Sequence, residues 1–360
     1  MDSSELELIW QGIERARDSR QRAALCTVVR VRGSAYRREG AKMLVLEDGQ
    51  YVCMLSGGCL ESEVALAAQD VIADGQPRVI SYDLSEEVVW GLGIGCGGSV
   101  DVLIERLDAA LEGWLETLRS GALSVAATVL TSDSSILRVT VAADGQLGGD
   151  AVTLELQSGI SQVALEMIGS LYPRSETRVV AGLDVFFDAS SPPPALVVFG
   201  AGHDAVPLVA HALEIGWAVS VVDSRAAFLT SERFGAATLV NPGVRFEFTL
   251  PDKAFCIVMN HHLERDRSSL RFALEGNAAF IGVLGPRSRF TDMLHALRKD
   301  GFTPTPKQLT QVRNPIGLDI GAESPAEVAL SVLSELIAVR RGFAGGVLDG
   351  LEGKIHAARG

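Results

Sequence analysis

The hydrophobic positions in the second half of the chain fall into short continuous runs, separated by segments with helical periodicity. The runs are typical of buried parallel strands and cover Ala195 to Phe199, Ala218 to Val222, Phe255 to Met259 and Ala279 to Leu284. Segments with helical spacing include Ser288 to Lys299 and Pro325 to Arg341. Because alternating strands and helices specify a parallel sheet, the pattern predicts a C-terminal Rossmann-like α/β domain with a doubly wound parallel sheet.

The first half of the chain mixes helical and strand-like patterns and predicts a separate N-terminal α/β domain. Helical spacing covers Leu6 to Arg17, Leu60 to Ile72 and Asp108 to Leu118. Strand-like patterns cover Ala23 to Val31, Ala41 to Leu46, Gln50 to Leu55, Pro77 to Tyr82 and Ser99 to Glu105. A β-rich extension is expected from Ser124 to Leu130, Ile136 to Val141, Ala151 to Leu156 and Thr177 to Phe187.

A proline-rich segment, Ser190-Ser191-Pro192-Pro193-Pro194, separates the two halves. Such a segment stays extended, and a chain of 360 residues exceeds the size at which a single core stops growing. We therefore expect an N-terminal domain with its β-rich extension over residues 1–190, a Rossmann-like domain over 195–345 and a tail over 346–360.

The composition of the chain argues against several classes of binding partner and of structural site. The formal net charge is −13, which disfavours general binding to nucleic acid or to an anionic membrane. No run of about 18 apolar residues predicts a membrane span, and the acidic N-terminus lacks the apolar run of a signal peptide. The five cysteines show no zinc-site spacing and do not suggest a disulfide framework. We expect a cytoplasmic protein.

Two segments combine a thiol with adjacent glycines, Ser56-Gly57-Gly58-Cys59-Leu60-Glu61 and Cys96-Gly97-Gly98. The glycines allow tight turns that bring backbone N–H groups close to a ligand. Cys59 precedes a predicted helix, whose N-terminal dipole favours the thiolate form of a cysteine. The alternative is that both segments are glycine turns with small buried cysteines, since free cysteine often behaves as a small hydrophobic residue.

A glycine-bounded loop and the residues on either side of it carry a cluster of cationic side chains in this acidic protein; they are Arg30, Arg32, Arg37, Arg38 and Lys42. Because these residues and the Cys59 segment belong to neighbouring strands, the pattern predicts an anion-binding pocket beside Cys59. A solvated surface loop is the alternative interpretation.

A dinucleotide fingerprint, Gly200-x-Gly202-x-x-Ala205, lies between a buried strand and a helix. Asp223 ends the next strand, where an acid can bind ribose hydroxyls. NAD(P) or another nucleotide is therefore a candidate ligand, although Asp204 places a negative charge inside the phosphate loop.

Polar side chains follow other strands of the same domain. His203 and His261 lie in loops at the carboxyl ends of two strands, where open α/β sheets bind ligands. They are candidates for a metal pair, phosphate donors or acid–base groups; alternatively, they bind neighbouring loops. Arg287 is expected in a turn, where it is the better candidate for an anion contact, and Arg289 is expected to begin a helix.

Taken together, these motifs resemble the XdhC/CoxI family, the maturation factors of molybdenum hydroxylases such as xanthine dehydrogenase. The resemblance covers about residues 23–105 and 196–341. Besides both cysteine segments and the glycine loop, it includes Gly40-Ala41-Lys42-Met43, Val221-Val222-Asp223-Ser224-Arg225, Met259-Asn260-His261, Ile281 to Arg287, Asn314 to Gly321 and Ser324 to Glu335. Tyr36 stands where the family usually has proline, and Asp204 where it usually has an apolar residue.

The resemblance implies an accessory factor rather than an enzyme. Such a protein binds molybdenum cofactor (molybdopterin), holds it while its terminal sulfur ligand is installed and delivers it to a xanthine dehydrogenase-type apoenzyme. Cys59 and Cys96 would contact the cofactor or its sulfur, with Glu61 and Arg37 as supports. The resemblance adds these cofactor-binding candidates: Gly57, Gly58, Gly97, Gly98, Gly200, Gly202, His203, Asp223, Arg225, His261 and Arg287.

Further partners and functions stay open at this point. A cysteine desulfurase is a candidate partner, and a homodimer is a candidate assembly that would shield the cofactor. The alternative functions are an NAD(P)-dependent oxidoreductase that uses the Rossmann-like domain with a histidine acid–base, and a structural scaffold for a molybdenum enzyme.

Overall fold

The computed structural model describes residues 3–84, 98–131, 136–243 and 247–349. Its contacts divide the chain into two compact units, Met1–Pro192 and Pro193–Gly360. Within the described residues, no helix is both long and apolar enough to cross a membrane.

The first unit begins with a five-stranded antiparallel sheet in the order β3-β2-β1-β5-β4. Its strands are β1 (Ala23–Arg32), β2 (Lys42–Leu46), β3 (Tyr51–Val52), β4 (Arg78–Asp83) and β5 (Ser99–Arg106). The helices are α1 (Ser3–Asp18), α2 (Glu61–Asp74) and α3 (Ala109–Ser120). Helix α2 packs on one face of the sheet, and α1 and α3 pack on the other. Both faces therefore contribute to a hydrophobic core.

A second antiparallel sheet completes this unit in the order β8-β7-β6-β10-β9, with α4 on one face. The strands are β6 (Ser124–Leu130), β7 (Ile136–Ala142), β8 (Leu147–Gly149), β9 (Glu176–Val180) and β10 (Leu183–Ser190), and helix α4 is Leu154–Gly169.

Two details of the predicted β-rich extension are wrong. Ala151 to Leu156 is not a strand, because the Thr153 hydroxyl caps α4 by accepting a hydrogen bond from the Leu156 N–H. A short apolar run does not distinguish a strand from the start of a helix. The single strand expected over Thr177 to Phe187 is divided into β9 and β10 by a turn in which both Ala181 and Gly182 have positive φ.

A buried polar contact joins the two sheets of the first unit. The Lys42 ammonium lies 2.6 Å from an Asp188 carboxylate oxygen, and the Lys42 side chain is 2% exposed. The Trp114 indole N–H and the Ser175 hydroxyl also donate hydrogen bonds to Asp188, at 2.8 and 2.9 Å. The carboxylate of Asp188 on β10 thus binds β2, α3 and the segment before β9.

The second unit contains the predicted doubly wound sheet, with six parallel strands in the order β13-β12-β11-β14-β15-β16. This is the Rossmann strand order. The strands are β11 (Ala195–Phe199), β12 (Ala218–Val222), β13 (Thr238–Val240), β14 (Phe255–Val258), β15 (Phe280–Val283) and β16 (Val312–Arg313). The helices are α5 (Ala205–Glu214), α6 (Ser231–Phe234), α7 (Leu263–Glu275), α8 (Arg287–Lys299), α9 (Pro306–Thr310) and α10 (Pro325–Arg341). Helices α5 and α10 pack on one face of the sheet, and α7 and α8 pack on the other.

The Lys42–Asp188 pair predicts a stability test. In Lys42→Met, the Asp188 carboxylate stays buried without its counter-ion, so the free energy of unfolding should fall by about 3–5 kcal/mol. Urea unfolding, followed by tryptophan fluorescence and circular dichroism, measures the change. The control is Arg15→Met, which removes an exposed charge from α1 and should change stability by less than about 0.5 kcal/mol. Equal stabilities of the two variants would show that the pair does not hold the sheets together.

Candidate functional site

The Cys59 loop is organised by the carboxylate of Glu61, the first residue of α2. Glu61 is 1% exposed and accepts hydrogen bonds from the backbone N–H groups of Leu55, Ser56 and Leu60 at 3.0, 2.8 and 3.1 Å. The Ser56 hydroxyl donates to the same carboxylate at 2.8 Å and accepts from the Cys59 N–H at 3.0 Å. Burial acts to raise the pKa of Glu61, but the hydrogen bonds from Ser56 and Leu55 hold that pKa below its usual value. The loop is therefore built around a buried carboxylate that stays ionised.

The same loop presents its thiol to solvent. Gly57, Gly58 and Cys59 are exposed, and Cys59 is not in a disulfide. Gly58 has a φ of +106°, which disfavours any side chain at that position. The alternative interpretation, a small buried core residue, is therefore wrong for Cys59.

The second cysteine segment is described in part. Cys96 and Gly97 lie outside the described residues, so their predicted role is not tested. A Cβ atom on Gly98 would clash with the Ser34 carbonyl oxygen, so this glycine permits a close backbone contact. A Cβ on Gly57 would lie 3.9 Å from the Tyr36 ring, which is 73% exposed. The loop between β1 and β2 thus lies beside Gly98 and beside the Cys59 loop.

Most of the cationic cluster is neutralised by carboxylates. The Arg37 guanidinium forms two hydrogen bonds to Glu5 of α1, at 2.5 and 2.8 Å, and so connects the β1–β2 loop to a helix. Three other cations are also paired, Arg30 with Asp184, Arg32 with Asp101 and Lys42 with Asp188. The positive potential beside Cys59 is therefore weaker than the number of cations in the sequence predicted, and Arg37 acts first as a structural contact.

The glycine loop of the second unit makes the tight turn that the dinucleotide fingerprint predicts at Gly200. Gly200 has a φ of +122°, and a Cβ there would lie 2.6 Å from the Met259 carbonyl oxygen. Over Gly202, however, a side chain lies close to the position that the fingerprint leaves open. An Asp204 oxygen fills the space that a Cβ on Gly202 would need, and Asp204 also contacts the His261 Nε2 atom at 2.6 Å. A pyrophosphate that approached Gly202 in the usual way would therefore meet the Asp204 carboxylate.

Asp223 has no lone pair left for a ribose hydroxyl. It accepts the Ala201 N–H at 2.8 Å and the Arg225 N–H at 2.8 Å, and the Arg225 guanidinium binds both oxygens at 3.0 and 2.7 Å. These four contacts use the four acceptor positions of a carboxylate. Burial acts to raise the pKa of Asp223, but the hydrogen bonds from Arg225 and Ala201 hold that pKa below its usual value. The residues present do not fit the ribose contact of an NAD(P) site.

The remaining predicted residues lie at the carboxyl edge of the parallel sheet. His203 is exposed in the glycine loop, and Arg287 is exposed as the first residue of α8 rather than in the preceding turn. Arg289 binds the buried Asp266, which also accepts the Asn260 N–H, so it orders the loop after β14. Among the described residues, no group of three or more His, Cys, Asp or Glu could hold a metal ion.

Sequence reasoning did not single out Arg265, whose Nη1 atom lies 4.0 Å from an Asp223 oxygen. It also left out Phe228, whose ring lies under the Arg225 guanidinium, 4.3 Å from ring centroid to Cζ. The available signal was their position, since both follow strands that end at the carboxyl edge of the sheet.

The buried carboxylate of Glu61 predicts a pH-dependent loss of stability. Glu61→Gln keeps the shape but turns one acceptor oxygen into a donor that opposes the Leu60 N–H, at a cost of about 1–3 kcal/mol at pH 7. Because the folded pKa of Glu61 is lowered, its stabilisation is present above the unfolded pKa and lost as pH falls through the folded pKa. The difference in the free energy of unfolding between wild type and Glu61→Gln should therefore become smaller below about pH 4.

Hydrogen exchange and urea unfolding together measure this effect. Exchange at the amides of Leu55, Ser56 and Leu60 should accelerate in Glu61→Gln, whereas Glu63→Gln, an exposed change in the same helix turn, should leave it unchanged. A stability difference that is the same at pH 3 and pH 7 would argue against an ionised Glu61.

Protein-family models match both parts of the chain, the "XdhC Rossmann domain" over residues 196–336 and the "XdhC and CoxI family" over residues 16–83. A relative in Bacillus subtilis (strain 168), named as a probable subunit of xanthine dehydrogenase, is 31% identical over 90% of this chain and 95% of its own. "Molybdenum cofactor insertion chaperone PaoD" of Escherichia coli (strain K12) is 26% identical over 88% of this chain and 83% of its own.

A solved structure agrees with these relatives. The crystal structure described as a xanthine dehydrogenase from Bacillus halodurans superimposes with a TM-score of 0.74 at 29% identity, over 95% of this chain and 96% of that one. The similarity extends through both units rather than through the Rossmann sheet alone. This chain belongs to the XdhC and CoxI family.

Proposed function

We propose that this protein is a maturation factor that holds molybdenum cofactor at the Cys59 loop and delivers it to a xanthine dehydrogenase-type apoenzyme. The observation that carries the proposal is an exposed thiol in a loop fixed by a buried carboxylate. The names of the relatives support a role in molybdoenzyme maturation.

The chemistry of the loop suits this cargo. Molybdenum in the cofactor carries sulfur ligands, and a cysteine thiol is a soft donor that matches such a centre. Gly57 and Gly58 carry no side chains, so the backbone beside the thiol is open to a ligand of considerable size. Since the hydrogen bonds to Glu61 fix the backbone of the loop, little conformational entropy is lost when the thiol binds.

The finer steps belong to the same proposal. Cys96 is proposed as a second thiol that contacts the cofactor or its sulfur, because its neighbour Gly98 lies beside the β1–β2 loop, as Gly57 does. We further propose that the terminal sulfur of the cofactor is installed while it is held here. A cysteine desulfurase and a second copy of this chain stay candidate partners.

The oxidoreductase alternative is not favoured by the geometry. Its ribose acceptor, Asp223, is saturated by protein donors, and its phosphate position over Gly202 is covered by Asp204. Both contacts would have to rearrange before a dinucleotide could bind in the usual way.

The proposal predicts that Cys59→Ala loses the cargo. Protein isolated from cells that make the cofactor should contain at least about tenfold less molybdenum and pterin than wild type, because loss of even a residue that supports a metal ligand typically lowers metal affinity by about 10- to 100-fold. Activation of a cofactor-free xanthine dehydrogenase by the variant should fall to background.

The matched control is Cys53→Ala, which removes a half-buried thiol from the same unit. Its cofactor content should stay close to that of wild type. If Cys59→Ala retains and delivers cofactor as well as wild type does, the thiol has no part in handling the cargo.

A further inference from the structure

We propose that the second unit binds a phosphate monoester at an arginine cluster beside Asp223, through the guanidinium groups of Arg225 and Arg265. This arginine cluster consists of Arg225, Arg233, Arg265, Asp223 and Phe228. The proposal depends on the Rossmann sheet alone and does not require the first unit to handle molybdenum cofactor. A phosphate group of this kind occurs as a nucleotide 2′-phosphate and as the phosphate of a pterin.

Asp223 acts in the cluster as an internal counter-ion. Its side chain has no exposed surface, and all four acceptor positions are occupied by Ala201 and Arg225. The carboxylate that would normally select a ribose diol therefore fixes the Arg225 guanidinium instead. A fixed guanidinium loses little rotamer freedom when it binds an anion.

Phe228 orders two of the arginines. Its ring lies 4.3 Å from the Arg225 Cζ atom and 5.2 Å from the Arg233 Cζ atom, so both guanidinium groups are in cation–π range. Arg233 also donates to the carbonyl oxygens of Ala201 and Gly202, at 2.9 and 3.1 Å. The Arg233 guanidinium thus binds the carbonyl oxygens of the glycine loop, so it stabilises the loop and does not contact the ligand.

Arg265 provides the accessible half of the site. It comes from α7, its Nη1 atom lies 4.0 Å from an Asp223 oxygen, and its side chain is 38% exposed. Within the part of the chain that the structure describes, neither Arg265 nor the Arg225 Nη1 atom has a hydrogen-bond acceptor. The positive charges of Arg225 and Arg265 therefore lie beside one saturated carboxylate, and donors from both guanidinium groups are available to an external anion.

A phosphate monoester matches this arrangement better than a dinucleotide does. Its dianion presents several acceptor oxygens to guanidinium donors, which bind phosphate in a bidentate manner. A dinucleotide would also need the phosphate position over Gly202, where the Asp204 carboxylate contributes negative charge and takes the space. The phosphate should therefore bind after β12, and a pyrophosphate over the glycine loop should be disfavoured.

Isothermal titration calorimetry on the full-length protein tests the proposal. The probes are adenosine 2′-monophosphate, neopterin monophosphate and inorganic phosphate, and the controls without a monoester are adenosine and NAD⁺. We expect the phosphate probes to bind and the controls to bind at least about tenfold more weakly, as a lost charged hydrogen bond would cause. Tighter binding of the adenosine or of the pterin monoester identifies the source of the phosphate, and either result supports the site.

Arg265→Gln is the decisive variant, because Arg265 makes no hydrogen bond within the described residues and its loss should not disturb the fold. Its affinity for the monoesters should fall at least about tenfold. The control is Arg271→Gln, which removes an exposed charge from the same helix and should change affinity by less than about twofold. No binding of any monoester, equal loss in the two variants, or NAD⁺ binding as tight as that of the monoesters would overturn the proposal.

Discussion

The first unit depends on the buried ion pair between Lys42 and Asp188. An ammonium group that is 2% exposed is stable only if a charged partner and further hydrogen bonds compensate for its lost hydration. Asp188 provides that partner from the second sheet, and the Gly40 carbonyl oxygen accepts from Lys42 at 3.2 Å. Since Gly40 ends the loop that lies beside Gly98 and the Cys59 loop, the same contact fixes one end of the candidate site.

Buried carboxylates organise the loops of both units in a similar way. Glu61 holds the Cys59 loop, and Asp223 holds the glycine loop through the Ala201 N–H. Asp266 holds the loop after β14 through Asn260 and Arg289. In each case a buried carboxylate accepts hydrogen bonds from backbone N–H groups that have no partner in a strand or helix. These hydrogen bonds fix the backbone of each loop.

The sequence predicted the features that depend on local pattern. Most of the features that it did not predict depend on contacts between residues that are far apart in the chain. The apolar runs predicted four strands of the parallel sheet, and the glycines predicted the tight turn before Cys59, whose exposure stayed open. The burial of Lys42 could not be predicted, because Asp188 is 146 residues away along the chain. The same limit applies to Arg37, whose partner Glu5 lies on α1. The saturation of Asp223 depends on the rotamer of Arg225, which the motif does not determine.

If this chain carries molybdenum cofactor as cargo, as we propose, the composition of the purified protein can be measured directly. Metal analysis and pterin fluorescence should be performed on the full-length protein, purified rapidly from cells that make the cofactor. The account predicts molybdenum and pterin in equal amounts, eluting together with the protein. Protein that is folded and free of both, although the cells contain active molybdenum hydroxylases, would contradict it.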